Sequence, residues 1–200
     1  MSDRYQDAIK NTQRFLSQYI WIGVLLTILG VFWYYRTQIG KKVANVDKME
    51  TAYDKPKYAP QLSSINASDP KYNDPLLNFY IASSYNSCCV GDFINSYVSL
   101  EGLTNVIKRG CRLLDFEIYS IDDQPVVATS TTNDYHVKET FNSIPFASIM
   151  DILANYAFAG STAPNPNDPI IIHLRIKSTN KAMYDNFANI FGEYDNILLG

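Results

Sequence analysis

Val106–Ser120 reads VIKRGCRLLDFEIYS, and the change of pattern within it decides the fold class. Its opening residues close an amphipathic segment, Leu100–Arg109, that reads as a helix. After Gly110 the chain becomes a short apolar run bounded by turn residues, and Arg112–Tyr119 reads as a buried strand. Within that strand Asp115 and Glu117 stand two apart, so their side chains leave the same face. Taken alone, carboxylates in this arrangement are more often part of a polar network than a catalytic dyad. Cys111, flanked by apolar residues, reads as a small core residue.

Working outward, the same alternation recurs. Leu77–Ala82, Pro125–Thr129 and Pro169–Ile176 are further runs rich in Ile, Val, Phe and Tyr, and each is expected as a buried strand. Between and after them lie two amphipathic segments. In Pro145–Ala159 the residues Phe146, Ile149, Met150, Leu153 and Ala157 share one face; in Asn180–Phe191, Met183, Phe187, Ile190 and Phe191 do so. Strand, helix, strand in this order predicts an α/β domain over residues 77–200 with a parallel sheet and helical crossovers. No Gly-rich phosphate loop follows the first strand, which argues against a dinucleotide-binding sheet.

Upstream of this domain the pattern is different. Phe15–Tyr35, FLSQYIWIGVLLTILGVFWYY, has no formal charge. At about 1.5 Å rise per residue it matches a hydrocarbon core of ~30 Å, so residues 15–35 are expected to span a bilayer as one helix. Trp21 near one end and Trp33, Tyr34 and Tyr35 at the other are expected membrane anchors at headgroup level. A cleaved signal peptide would be shorter and followed by small residues, whereas WYYRTQIGKK follows here. Residues 1–14 form a tail before the span. Arg4, Lys10 and Arg14 precede it and Arg36, Lys41, Lys42 and Lys48 follow it, a slight excess that places the C-terminal domain on the cytosolic side. Residues 36–76 contain Pro56, Pro60, Pro70 and Pro75 among lysines and show no sustained apolar period, so they read as an extended linker. Its early lysines are placed to meet anionic headgroups or simply to be solvated. Asn66-Ala67-Ser68 is a glycosylation sequon that has meaning only on a luminal side.

Composition narrows the function classes. With 46% hydrophobic residues and 18% charged ones the chain can bury a core, which excludes general disorder. A net charge of −3 gives no overall basic field, so nucleic acid is not an expected partner. Cys88, Cys89 and Cys111 form neither a disulfide framework nor a zinc spacing.

Six segments, taken in order, carry a family resemblance. They are NFYIASSYNSCCVGD (78–92), VIKRGCRLLDFEIYS (106–120), PVVATSTT (125–132), IMDILANYAFAGS (149–161), PIIIHLRIKS (169–178) and NFANIFGEYDNILLG (186–200). Together they resemble the X region of phosphatidylinositol-specific phospholipase C over roughly residues 77–200. The resemblance implies a TIM-type barrel with function at the C-terminal ends of the strands. It also implies an activity, phosphodiester cleavage in phosphatidylinositol lipids, in which two histidines act as general base and acid. In this chain Tyr85 and Thr129 stand at the two histidine positions, and neither hydroxyl is a base near neutral pH. The remaining histidines, His136 and His173, match neither position and read as ordinary loop or strand residues.

In eukaryotic-type members the resemblance further implies a calcium held by an Asn, a Glu-x-Asp pair and a glutamate on the fourth strand. Here Asn86 is kept, the pair is reversed as Asp115 and Glu117, and Arg175 replaces the glutamate. A guanidinium cannot ligate calcium, so the calcium site is expected to be lost, with no cofactor, and Arg175 to bridge to a carboxylate in its place. Asn86, Asp115, Glu117 and Arg175 are thus the expected vestigial rim.

Eight strands close a barrel of this type, and four are legible here. A half-barrel is expected to cover its open edges by self-association or on a protein partner, unless the chain is a fragment. The expectation is a membrane-anchored, catalytically inactive protein with a structural or binding role, suited to a large assembly such as a virion with an internal membrane. The alternative is a divergent phosphoric diester hydrolase acting on phosphatidylinositol lipids.

Overall fold

A computed structural model describes residues 2–54, 62, 64–66, 68–132 and 137–199, apart from the side chains of 2–14 and 17. His136, Lys55, Pro56, Lys57 and Pro60 lie outside the described residues. The chain divides into two compact units, residues 1–43 and 44–200.

The first element is a helix, α1 (Ser2–Tyr53). Within it Gln18–Tyr53 contains a stretch long and apolar enough to cross a membrane by length and composition. The side chains of Trp21, Trp33, Tyr34 and Tyr35 are exposed on it. The linker expectation is corrected at its start, because residues 36–53 are helical rather than extended. The reason is compositional: every linker proline lies at position 56 or beyond, and TQIGKKVANVDKMETAY contains only one poor helix former, Gly40. The end of α1 belongs to the second unit. Asn45 Nδ2 donates to the Val90 carbonyl at 3.2 Å, Met49 packs against the core, and Asp54 pairs with Arg109 at 2.8 Å.

The second unit is a mixed α/β domain. Its strands are β1 (Ser83–Ser84), β2 (Cys89–Val90), β3 (Tyr97–Val98), β4 (Leu113–Ile121), β5 (Gln124–Ala128), β6 (Ile144–Pro145) and β7 (Ile171–Ile176). Its helices are α2 (Leu100–Lys108), α3 (Phe146–Ile152) and α4 (Lys181–Glu193). β4 is the centre of the main sheet. β1 and β7 run parallel to it, β5 runs antiparallel to it, and β6 extends from β5. β2 and β3 form a separate antiparallel pair.

Two strand expectations are corrected. Leu77–Ala82 is not a strand: Leu76–Asn78 is a 3-10 turn, and only Ser83 and Ser84 pair with β4. Leu77 and Tyr80 are among the most exposed residues of the domain, so this apolar run does not enter the sheet. Pro125–Thr129 does form a strand, β5, but it folds back on β4 as a hairpin instead of adding a parallel barrel strand. The hairpin turns on Asp122 and Asp123, whose φ values of 49° and 62° both lie in the left-handed region that a two-residue type I′ turn demands. The sheet is therefore mixed, with parallel pairing confined to β1, β4 and β7. One helix expectation is corrected too: regular helix ends at Ile152, and Leu153–Ala157 is a π-helical turn.

Alternation along β4 separates the two faces. Leu114, Phe116 and Ile118 enter the main apolar cluster with Leu103 and Ile107 of α2, Phe146, Ile149 and Met150 of α3, and Met183 and Phe187 of α4. Phe146, Phe187 and Phe191 stack with centroids 4.6–5.4 Å apart and tie α4 to α3. α2 starts on Ser99, whose hydroxyl accepts from Glu101 N–H, and is followed by Gly110 at φ 79°, where a left-handed residue lets the chain turn into β4. α4 starts on Asn180, whose side chain accepts from Ala182 N–H. The opposite face of β4 presents Asp115 and Glu117.

Candidate functional site

Register assembles the site. In the parallel pairing of β4 with β7, Asp115 lies opposite His173 and Glu117 opposite Arg175, so two carboxylates and two basic groups share one patch. The turn after β1 brings Asn86 to the same place. Asn86 adopts φ 47°, which asparagine tolerates better than most residues, and its N–H donates to Asp115 Oδ1 at 3.1 Å. Ser87 fixes the turn further: its Oγ accepts from Asp115 N–H at 3.0 Å and donates to the Ser84 carbonyl at 3.1 Å.

Arg175 is the hub. Its Nε donates to Asp115 Oδ2 at 3.0 Å, Nη1 to Glu117 Oε1 at 2.5 Å, and Nη2 to both Asp115 Oδ1 and Asn86 Oδ1 at 2.6 Å. The ring of Tyr85 covers the guanidinium, with its centroid 4.4 Å from Cζ, and meets Phe93 edge-on at 5.5 Å. Glu117 completes its bonding at Oε2, which accepts from Tyr119 Oη at 2.8 Å and Ser130 N–H at 3.0 Å. The Asp115 and Glu117 side chains are only 5% and 2% exposed, so these bonds form largely out of water, where charge-assisted pairs are strongest.

Burial pushes the Asp115 carboxyl up, but the hydrogen bonds from Arg175, Asn86 N–H and His173, with the positive charge, outweigh it and hold the group below its usual range. Burial pulls Arg175 down, and the bonds to Asp115 outweigh that too, so its guanidinium is held above its ordinary value. The pair is charged on both sides.

His173 departs from the expectation of an ordinary strand residue. Its Nδ1–H donates to Asp115 Oδ2 at 2.6 Å, while its side chain is 60% exposed. Thr129 lies just beyond β5 and is buried, with its hydroxyl donating to the Phe93 carbonyl at 2.9 Å. Tyr85, Asn86, Asp115, Glu117 and Arg175 thus converge, and Thr129 does not bond to them. The members missed from sequence were His173, Ser87 and Ser130. His173 carried a signal: it stands two residues before Arg175 on one strand, as Asp115 stands two before Glu117.

The donor set does not fit calcium. The oxygens of Asn86, Asp115 and Glu117 that would ligate a cation instead accept from a fixed positive charge. Among the described residues no group of three or more His, Cys, Asp or Glu side chains could hold a metal ion. One cost of the arrangement is visible: with its Oδ1 turned to Arg175, Asn86 leaves a buried Nδ2 without a hydrogen-bond partner among the described residues. Nor is there a ready thiolate. Burial pushes the Cys89 thiol up to about 11 despite a bond with Thr129, and pushes Cys88 and Cys111 up as well.

A family profile described as phosphatidylinositol-specific phospholipase C, X domain, matches residues 72–196. The chain belongs to this family. Among curated relatives, a Bos taurus 1-phosphatidylinositol 4,5-bisphosphate phosphodiesterase delta-4 is 34% identical over 99 residues, 48% of this chain and 12% of that protein. The Saccharomyces cerevisiae 1-phosphatidylinositol 4,5-bisphosphate phosphodiesterase 1 is 30% identical over 112 residues, 56% of this chain and 11% of its own length. The X-domain chain therefore spans about an eighth or less of these relatives. Among solved structures, the crystal structure of S. officinalis PLC21 aligns with a TM-score of 0.46 at 22% identity, covering 59% of this chain and 14% of that one.

Proposed function

We propose that this chain is a membrane-anchored, catalytically inactive phospholipase C X-domain protein with a binding or scaffolding role. The observation that carries the reading is Arg175, whose guanidinium donates to Asn86, Asp115 and Glu117 together. A positive charge fixed there excludes a divalent cation from the oxygens that the resemblance assigns to it. The acid–base positions point the same way. Tyr85 lays its ring on Arg175 and the Thr129 hydroxyl donates to a carbonyl, so neither position carries an imidazole or an oriented stand-in for one. Anchoring rests on the apolar part of α1, with its exposed Trp and Tyr residues. A component of a larger membrane-associated assembly, a virion with an internal membrane among them, is the setting proposed for a domain tethered in this way.

One observation favours a second reading, divergent hydrolysis of phosphatidylinositol lipids. His173, oriented through Nδ1 by a buried carboxylate and exposed to solvent, has the form of a general base. Against it, the neighbouring cation is already committed to two carboxylates.

The test is hydrolysis of phosphatidylinositol and phosphatidylinositol 4,5-bisphosphate vesicles by the full chain, with and without calcium. The controls are His173→Ala and the triple variant Tyr85→His/Thr129→His/Arg175→Glu. Turnover at the no-protein baseline from folded protein supports the inactive reading. Turnover that His173→Ala abolishes establishes the second reading instead.

A further inference from the structure

β7 is bonded along one edge. Ile171 N–H donates to the Arg112 carbonyl and Lys177 N–H to the Ile118 carbonyl, so the odd-numbered residues of the strand bond to β4. Bonding direction alternates along a strand, and the N–H and C=O groups of Ile172, Leu174 and Ile176 therefore point the other way, where among the described residues no strand pairs with them. Free edges are normally blunted by lysine, proline or a bulge. IIHLRI carries neither lysine nor proline, and its register with β4 runs unbroken from Ile171 to Ile176. On the core face Ile170, Ile172, Leu174 and Ile176 pack against the apolar cluster while staying partly exposed. α4 packs on β5, on the far side of β4. A groove of ≈ 240 Å³ remains beside the start of β7, lined by Met150, Leu153, Ile170, Ile172 and Leu199, and Leu199 is 95% exposed.

We propose that β7 pairs with β7 of a second copy of this chain, antiparallel about a two-fold axis at Leu174, so that one sheet runs through both copies. The edge is self-complementary. Its outward-bonding residues are symmetric about Leu174, so Leu174 bonds to the partner's Leu174 and Ile172 to the partner's Ile176, and every free donor meets an acceptor. Any strand could meet those bonds; what selects a copy is the side chains. Directly opposed residues share a face, so the partner's Ile176 lies beside Ile172 at the groove, and the symmetry fills both grooves in the same way. On the other face His173 opposes the partner's Arg175. Each Arg175 is already balanced by Asp115 and Glu117 of its own copy, so pairing sets no bare like charges against each other.

The test uses the full-length chain in detergent at a low and a high protein concentration, with molar mass from light scattering and amide exchange by NMR. A dimer is expected at the high concentration, with exchange at Ile172, Leu174 and Ile176 slowed in step with its formation. Leu174→Pro removes the outward N–H at the axis, twice per dimer, and proline at such an edge position leaves the bonds to β4 in place, so it is expected to weaken dimerisation about tenfold or more. Leu199→Lys, at an exposed position, puts a charge at the groove and is expected to weaken dimerisation as well. Should Leu174→Pro fail to fold, Leu199→Lys decides alone. Four results would each overturn the proposal. They are a monomer at both concentrations, a dimer whose three amides exchange as fast as in the monomer, as pairing through α1 would give, protection of those amides in the monomer, as a segment of the same chain on the edge would give, and dimerisation that a folded variant leaves unchanged.

Discussion

Replacing Arg175 with methionine keeps most of its length and removes its charge. The substitution deletes four hydrogen bonds at once and leaves Asp115 and Glu117 buried without their cation. Breaking a buried pair by removing one partner costs about 3–5 kcal/mol. The lower end applies here, because Asp115 keeps Asn86 N–H and His173, and Glu117 keeps Tyr119 and Ser130 N–H. At roughly 2–4 °C per kcal/mol for a unit of this size, ~3 kcal/mol lowers the midpoint of the domain by about 6–12 °C at pH 7. The assay is thermal unfolding of the full chain in detergent, followed by near-UV circular dichroism. The deficit should shrink as the pH falls toward 4, since the stranded carboxylates can then take up protons. Restoring neutrality with Asp115→Asn/Glu117→Gln in the Arg175→Met background should recover much of the loss. A midpoint within about 2 °C of wild type at pH 7 would refute the idea that the guanidinium is the counter-charge of the site.

Further outcomes follow from the same contacts. The folded-state pKa of Asp115 is depressed, so its contribution to stability is fully present above the unfolded value of about 3.9 and is lost as pH falls through the folded value. Asp115→Asn should therefore flatten the acid limb of the stability curve below about pH 4, measured by denaturant unfolding across pH; an unchanged limb would show that Asp115 is not the group responsible. With its pKa at about 11, Cys89 should react with a thiol reagent at pH 7.5 about a hundredfold or more slower than a free cysteine, read by mass spectrometry of the intact chain. Phe187→Ala, at the centre of the α3–α4 aromatic stack, should cost about 3–5 kcal/mol in chemical unfolding, and a loss under about 1 kcal/mol would mean that α4 is not held as described.

What could be read from the sequence depended on whether the signal was local. β4 was legible because an apolar run after a glycine can hardly be anything else, and α2 and α4 because their apolar faces recur at helical spacing. The convergence of Asn86, Asp115, Glu117 and Arg175 followed from the family order of the segments. β5 shows the limit: a buried apolar run looks the same whether it pairs parallel or antiparallel, and the hairpin that decides it turns on Asp122-Asp123, a less common choice than a glycine-bearing pair. Leu77–Ala82 was apolar enough for a strand, yet within it only the Ala82 carbonyl bonds at the start of β4, and strand pairing begins at Ser83. His173 was passed over because its partner, Asp115, is distant in sequence and comes opposite it only through the register of β4 with β7.

The occupancy of the cation position by a guanidinium is tested most directly by titrating calcium into the full-length wild-type chain and into Arg175→Glu, read by calorimetry and by terbium luminescence. Wild type is expected to show no saturable binding at the Asn86, Asp115 and Glu117 oxygens, and Arg175→Glu to gain a single site lost again on Asp115→Asn. Saturable one-site calcium binding by the wild-type chain that Asp115→Asn removes would contradict the account.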